Sequence, residues 1–278
     1  MVKKCLFPVA GYGTRFLPAT KSMPKEMLPV VNKPLVQYGV EEALDAGLNE
    51  ICLVTGRGKR AIHDFFDISF ELEHQIAGTD KEKYLGSIRK VIAEARFATT
   101  RQSEMKGLGH AVLTGELLVG NEPFGVVLAD DLCITEEKGV MAQLVDIYLK
   151  HRCPVVAIQE VPEADVSKFG VISAVEVEPG LYTVTDMVEK PEPRDAPSNL
   201  AVIGRYVLTP YIFEILRHTP PGKNNELQLT DALCTMAKTS KVLACKFKGR
   251  RFDCGSVDGY VEATNYVYEN IYLRDRAH

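Results

Sequence analysis

Ala10-Gly11-Tyr12-Gly13-Thr14-Arg15 follows directly on an apolar run, Cys5 to Val9. Two glycines in such a turn let backbone N–H groups approach a polyphosphate closely. Arg15, Lys21 and Lys25 add cations nearby in a chain whose formal net charge is −4. Together they make a local site that suits a triphosphate, although on these residues alone a solvated basic loop is an equal reading. The loop is neither the dinucleotide fingerprint nor a Walker motif, because the third glycine and the Gly-Lys-Ser/Thr ending are missing. A second cluster is acidic. Val126-Val127-Leu128-Ala129 delivers Asp130 and Asp131 at the end of an apolar run, and Asp253 stands where Arg251-Phe252 meets the turn Cys254-Gly255. Such carboxylates are hard oxygen ligands for Mg²⁺, or else caps of the turns that follow. Gly170 in Phe169-Gly170-Val171 and Glu189-Lys190 in Val188-Glu189-Lys190-Pro191 form a third group, in which the lysine either faces water at a strand end or holds an anion. In Arg101-Gln102-Ser103-Glu104-Met105-Lys106-Gly107-Leu108, the Gln102 amide carries both a donor and an acceptor and can pair with a pyrimidine edge. Read without relatives, Gln102 is a surface residue and Gly107 the glycine that begins a helix. His63, His74, His110, His151, His218 and His278 show no paired spacing, and no Ser, His and acid triad can be nominated.

These clusters need a scaffold that sets strand ends side by side. Buried-strand candidates at Cys5 to Val9, Ile51 to Thr55, Arg96 to Thr99, Phe124 to Leu128 and Val155 to Gln159 alternate with helix candidates at Leu35 to Ala46, Lys59 to Phe66, Lys81 to Ala95, Leu108 to Val119 and Val140 to His151. This alternation predicts an α/β fold, a mostly parallel sheet with helices on both faces, and such sheets bind ligands at the strands' carboxyl ends. After Gln159 the texture changes to extended segments, Gly170 to Val177, a Pro179-Gly180 turn, Tyr182 to Glu189 and Ala201 to Val207. They predict an antiparallel extension of the sheet. Helices near Pro210 to Arg217 and Leu227 to Thr239, a strand at Val242 to Lys246 and an amphipathic helix from Asp258 to Leu273 complete the chain, with no internal repeat. We expect one domain over 1–278, with a core at 1–160, an extension at 161–250, and a last strand and helix at 251–278.

Composition narrows the classes. With 278 residues, 46% hydrophobic and 25% charged, the chain can bury a full core without staples. Lys and Arg number 33 against 37 Asp and Glu, so there is no whole-protein field for nucleic acid or an anionic membrane. No stretch reads as a signal peptide or a membrane span, and a cytoplasmic location is the expectation. The seven cysteines are scattered without metal or redox spacing and read as buried, reduced side chains.

The glycine loop continues as Phe16-Leu17-Pro18-Ala19-Thr20-Lys21, then Pro24-Lys25-Glu26-Met27-Leu28-Pro29 and Lys33-Pro34-Leu35. With these residues the chain resembles the sugar-1-phosphate nucleotidylyltransferases. Pro-Lys-Glu-Met-Leu-Pro and the segment from Phe65 through His74 to Leu85 are similar to the bacterial uridylyltransferase subgroup acting on UTP and glucose 1-phosphate; thymidylyltransferase relatives typically read Lys-Gln-Leu-Leu-Pro. The resemblance runs from Lys3 to the final helix. It implies a Rossmann-like mixed sheet flanked by helices, with an antiparallel sugar-binding extension. It also implies transfer of the uridylyl group of UTP to glucose 1-phosphate, giving UDP-glucose and pyrophosphate, by in-line attack of the sugar phosphate with Mg²⁺. By the same resemblance Ala10, Gly11, Gly13, Thr14, Glu26, Gln102 and Gly107 hold the nucleotide, and Asp130 and Asp253 are the metal ligands. Arg15, Lys25 and Lys190 are catalytic. Gly170, Glu189, Lys190, Gly204 and, less directly, Asp131 serve the sugar. A homo-oligomer, dimer or tetramer, is the implied assembly. Competing readings are a thymidylyltransferase or a uridylyltransferase for another sugar, a non-catalytic nucleotide-sugar sensor, and a glycosyltransferase. The retained charges at Arg15, Lys25, Asp130, Lys190 and Asp253 disfavour the sensor, and the unspaced Asp130-Asp131 pair disfavours the glycosyltransferase.

Overall fold

In the computed structural model, which describes residues 1–276, thirteen strands are present: β1 Lys4–Pro8, β2 Pro29–Val30, β3 Lys33–Pro34, β4 Glu50–Thr55, β5 Arg96–Arg101, β6 Phe124–Val127, β7 Asp131–Ile134, β8 Val155–Glu160, β9 Gly170–Glu178, β10 Leu181–Glu189, β11 Leu200–Leu208, β12 Leu243–Lys246 and β13 Arg250–Asp253. Nine of them form one sheet in the order β5-β4-β1-β6-β11-β8-β12-β10-β9. It is parallel through β5-β4-β1-β6, and β8 pairs with β12 in parallel; the other neighbours are antiparallel. The antiparallel part is not confined to an edge, since β11 runs between β6 and β8 near the middle of the sheet. β9 also returns to pair with β11 at Val171↔Ala201. That closure makes a ring of β11, β8, β12, β10 and β9, and carries the end of the β9–β10 hairpin, with Gly170 and Glu189, back toward the first half of β11.

Period-two alternation explains why both faces are covered. Cys5 and Phe7 of β1 join the core beneath the helices Leu35–Asp45 and Val140–His151, while Leu6 joins the core beneath Leu108–Thr114, Tyr211–His218 and Leu229–Thr239. Burying one such Phe or Leu side chain contributes about 1.5–3 kcal/mol. A third, smaller core holds Leu28, Val30, Leu132, Phe252 and Cys254 against Ala263 and Val267 of the late helix. It anchors the two-stranded β7–β13 ribbon over the main sheet.

The strand expectations hold to within one or two residues. The helix expectations need three corrections. Lys81 to Ala95 is a 3₁₀ turn, Asp80–Leu85, followed by an α-helix, Gly86–Glu94. Leu108 to Val119 divides at Gly115 into Leu108–Thr114 and Glu116–Val119, and Gly115 packs so closely on Leu6 that any Cβ there would lie 2.5 Å from it. The last helix runs Val257–Val267 and passes through a π turn at Tyr268–Tyr272. The helix Phe70–Ile76 and strand β7 were not anticipated. All seven cysteines are free thiols, five of them buried. Among the described residues no helix is long and apolar enough to cross a membrane. His278 lies outside the described residues.

Candidate active site

The site is assembled from loops at the ends of six strands. After β1, Val9 donates to Val54 O at 2.9 Å, holding the chain to β4 until Ala10 and the glycine loop turn away. No α-helix follows. Three 3₁₀ turns do, Thr14–Phe16, Ala19–Lys21 and Lys25–Met27, so the loop's amides are presented by tight turns and not by a helix N-terminus. Gly13 has φ 68° and Thr20 Oγ1 donates to its carbonyl at 2.7 Å; a Cβ at Gly13 would also lie 3.0 Å from Lys25 Cβ. Left-handed backbone and close approach both select glycine there.

At the other end of the site, Asp130 follows β6 and Asp253 ends β13. A Cβ placed on Gly255 would lie 2.9 Å from Asp130 Oδ2, 3.0 Å from Asp253 Oδ1 and 3.3 Å from Arg15 Nη1. Two carboxylates and the guanidinium therefore converge on one point, and only a glycine leaves that point open. Arg15 donates to Gly255 O at 3.2 Å, and Lys25 donates to Asp130 Oδ2. Burial pushes the Asp130 carboxyl up, but the Lys25 charge and hydrogen bond, with Arg15 behind them, outweigh it and hold Asp130 below the ordinary range. The Lys25 ammonium is raised although burial opposes it, because Asp130 and Glu26 face it. The Asp253 carboxyl is pushed up by burial, with Asp131 and Asp130 adding to the effect against Arg251. A cation at this point would relieve the repulsion. Among the described residues no group of three or more His, Cys, Asp or Glu side chains could hold a metal ion. The two convergent carboxylates fit instead an ion that completes its shell with phosphate and water, as Mg²⁺ does.

Asp131 is placed differently from its expected sugar role. It is 8% exposed, its Oδ1 accepts from Arg251 Nε at 2.6 Å, and its Oδ2 accepts from Gly204 N at 2.8 Å. Both oxygens are already engaged, which ties β7, β11 and β13 together. Gly204 is as constrained: a Cβ there would lie 2.6 Å from both Asp131 Oδ2 and Leu128 Cβ. Beneath the Leu128–Asp131 turn, Arg205, 1% exposed, donates to Leu128 O at 3.1 Å and Asp131 O at 2.8 Å while pairing with Glu42 at 2.8 Å. The guanidinium brackets the peptide that carries Asp130.

Gly170, Glu189 and Lys190 are brought together. Lys190 has φ 48°, an uncommon conformation for a side-chain-bearing residue. Its N–H donates to Phe169 O at 2.8 Å, and its Nζ lies 3.0 Å from Glu189 Oε1. Thr230 Oγ1 donates to Glu189 Oε2 at 2.7 Å, and a Cβ on Gly170 would meet that same hydroxyl at 2.7 Å. The Arg251 guanidinium stacks on the Phe169 ring at 4.8 Å, joining this corner to the Asp131 and Asp253 corner.

After β5, Gln102 is 5% exposed, not a surface residue, and its amide N–H₂ donates to Gly107 O at 3.2 Å and meets His110 Nδ1 at 2.9 Å. Gly107 has φ +98° and sits where a Cβ would lie 2.8 Å from Leu227 O. Glu26 is 1% exposed and pairs with Lys59 at 2.7 Å. Sequence reasoning missed Lys59, Glu42, Arg205, Thr230, Arg251 and Gly255 as parts of the site. Of these, Arg251, Gly255 and Arg205 carried a signal, standing within two residues of Asp253 or Gly204.

Residues 8–270 match the family model described as nucleotidyl transferase. The chain belongs to the nucleotidyl transferase family. This nucleotidyl transferase is 64% identical over 279 residues to a Pseudomonas aeruginosa protein named UTP--glucose-1-phosphate uridylyltransferase, with 100% of both chains covered. Among solved structures, it is similar to an apo UDP-glucose pyrophosphorylase, with TM-score 0.94 and 61% identity over 97% of this chain and 99% of that one. It is also similar to a UDP-glucose pyrophosphorylase complexed with UDP-glucose, with TM-score 0.91 and 57% identity over the same shares.

Proposed function

We propose that this nucleotidyl transferase joins UTP and glucose 1-phosphate to give UDP-glucose and pyrophosphate. The observation that carries the reading is the convergence at Gly255 of Arg15, from the glycine loop, with Asp130 and Asp253 from separate strands. The names of the Pseudomonas aeruginosa relative and of the UDP-glucose complex support the choice of substrates.

No protein nucleophile is needed, because a phosphate oxygen of glucose 1-phosphate attacks the α-phosphorus of UTP. That oxygen forms the new P–O bond as the bond from the α-phosphorus to the bridging oxygen of pyrophosphate breaks. Catalysis is then alignment and charge stabilisation. Lys190, fixed beside Glu189, aims the sugar phosphate, with Glu189, Gly170 and Gly204 lining the sugar end. Arg15 and Lys25 balance charge on the reacting phosphates and on the departing pyrophosphate, and the Gly11, Gly13 and Thr14 backbone cradles the triphosphate. Gln102 and Gly107 hold the uracil opposite Ala10. Asp130 and Asp253 would hold Mg²⁺, which when bound supplies positive charge to phosphate oxygens. The role of Asp131 becomes positioning: through Arg251 it fixes the strand that ends in Asp253. A homo-oligomer belongs to the same proposal; light scattering that gave a monomeric mass would argue against it.

The test is pyrophosphate release with Mg²⁺ over a panel of nucleoside triphosphates and sugar phosphates. The fastest turnover is expected with UTP and glucose 1-phosphate. A clear preference for dTTP, or no turnover with any sugar phosphate, overturns the assignment.

A further inference from the structure

Glu26 and Lys59 form an ion pair at 2.7 Å in which the carboxyl side is 1% exposed and the ammonium side 4%. The second carboxylate oxygen, Glu26 Oε1, is fully buried and has no hydrogen-bond partner. Sinking two charges this far is a poor way to stabilise a fold, and an unmet carboxylate oxygen makes it costlier. The position of the pair gives it another use. Glu26 lies in the 3₁₀ turn Lys25–Met27, packed against the glycine loop where a Gly13 Cβ would lie 3.0 Å from Lys25. Lys59 ends the loop after β4, and a Cβ on Gly56 in that loop would lie 3.0 Å from Ala10 O. The pair therefore links the two segments that flank Ala10 to Gly13.

We propose that Lys59 is a positioning residue for the nucleotide: it holds Glu26 as a carboxylate through Oε2, so that Oε1 accepts from an N–H or O–H donor of the incoming UTP. The donor is the imide N3–H of the base or a ribose hydroxyl. This rests on the reading that the chain binds UTP. Without Lys59 the buried carboxyl takes up a proton and ceases to be a charged acceptor, the stronger kind. The direction of the Glu26 equilibrium agrees: burial raises its pKa, and Lys59 and then Lys25 pull it back.

The experiment compares wild type with Lys59→Met, Lys59→Arg, Glu26→Gln and the double variant Lys59→Met/Glu26→Gln, using calorimetric UTP affinity and steady-state kcat and KM for UTP. Lys59→Met is expected to raise the UTP Kd and KM by about tenfold while kcat at saturation changes by less than about threefold, and Lys59→Arg recovers most of the loss. The double variant binds UTP no worse than Lys59→Met, because the lysine acts through Glu26. Unchanged UTP affinity in Lys59→Met, or losses that add in the double variant, overturns the proposal. N3-methyl-UTP, 2′-deoxy-UTP and 3′-deoxy-UTP separate the donors: the analogue lacking the donor in use binds wild type weakly, and its disadvantage shrinks in Glu26→Gln, whose neutral amide oxygen is a weaker acceptor than the carboxylate. If no analogue behaves so, Oε1 does not receive the nucleotide. Should Lys59→Met fail to fold in a thermal melt, Glu26→Gln and the analogues decide alone. A wild-type protein inactive with UTP sinks the function itself, whereas an active one with indifferent variants sinks only the role of Lys59.

Discussion

Arg15 and Lys190 test the two ends of the site separately. Lys190 is held by Phe169 O and Glu189 on the hairpin, away from the glycine loop. A charge-assisted contact to the sugar phosphate is worth roughly 1.5–3 kcal/mol, so Lys190→Ala should weaken glucose 1-phosphate by about tenfold or more. UTP binding, read by calorimetry on the same variant, should be unaffected; an equal loss for both substrates would point to a folding defect. Arg15→Ala is expected to act mainly on kcat, by about 10²-fold, since its guanidinium faces the point where the carboxylates converge. A rise in the KM for UTP alone would make Arg15 a binding residue. Asp130→Ala and Asp253→Ala should each abolish most activity and flatten the dependence on Mg²⁺, because one carboxylate is too few to fix the ion. A Mg²⁺ titration of initial rates checks this, and near-normal turnover in both variants would move the metal elsewhere. The charged residues of the site were legible as motifs. Their partners were not, because Glu42, Lys59 and Thr230 sit in unremarkable helical or loop sequence and acquire a role only by contact.

Helical propensity and packing disagree at Gly115, and packing wins. Alanine in place of a helical glycine should gain roughly 0.5–1 kcal/mol, yet a Cβ here would lie 2.5 and 2.7 Å from the side-chain carbons of Leu6, which is fully buried in β1. Overpacking a core costs typically about 1–3 kcal/mol. Gly115→Ala is therefore expected to lower stability, read as a lower urea midpoint with an unchanged slope. Periodicity could not show this need for glycine, because Leu6 lies more than a hundred residues earlier. The same holds for β7, a strand only because β13 pairs with it through Asp131↔Asp253.

One buried cation spans several layers of the molecule. Arg205 on β11 donates to Glu42 of the helix Leu35–Asp45 and to carbonyls on both sides of Asp130, while Glu42 Oε1 also accepts from Met141 N in the helix Val140–His151. Burial lowers the Arg205 pKa but Glu42 overrides it, so the guanidinium stays charged at every working pH. Removing one partner of such a pair leaves the other buried without compensation, at a cost of about 3–5 kcal/mol. Arg205→Met should show that loss in denaturant unfolding and, in the folded fraction, a higher Mg²⁺ requirement. A stable variant with normal Mg²⁺ dependence would mean that the Asp130 turn holds itself.

By itself the sequence determined the α/β class, most of the strands and the glycine loop, because strand burial is written in local runs, and its resemblance to known relatives singled out Arg15, Lys25, Gln102, Asp130, Glu189, Lys190 and Asp253 as candidates. Only the tertiary structure decided what those residues face. The insertion of β11 between β6 and β8, and the return of β9 to β11, depend on pairings between segments far apart in the chain. Those pairings bring Gly204 under Asp131 and put the hairpin's Glu189 and Lys190 in the corner that Arg251 shares with Phe169. Whether a strand-end aspartate takes part in the reaction or clamps strands rests on which donors reach its oxygens. For Asp130 the donor is Lys25, and for Asp131 they are Arg251 and Gly204. The two residues are adjacent and identical, so local chemistry does not separate them; their places do, Asp130 in the turn after β6 and Asp131 as the first residue of β7, paired with Asp253.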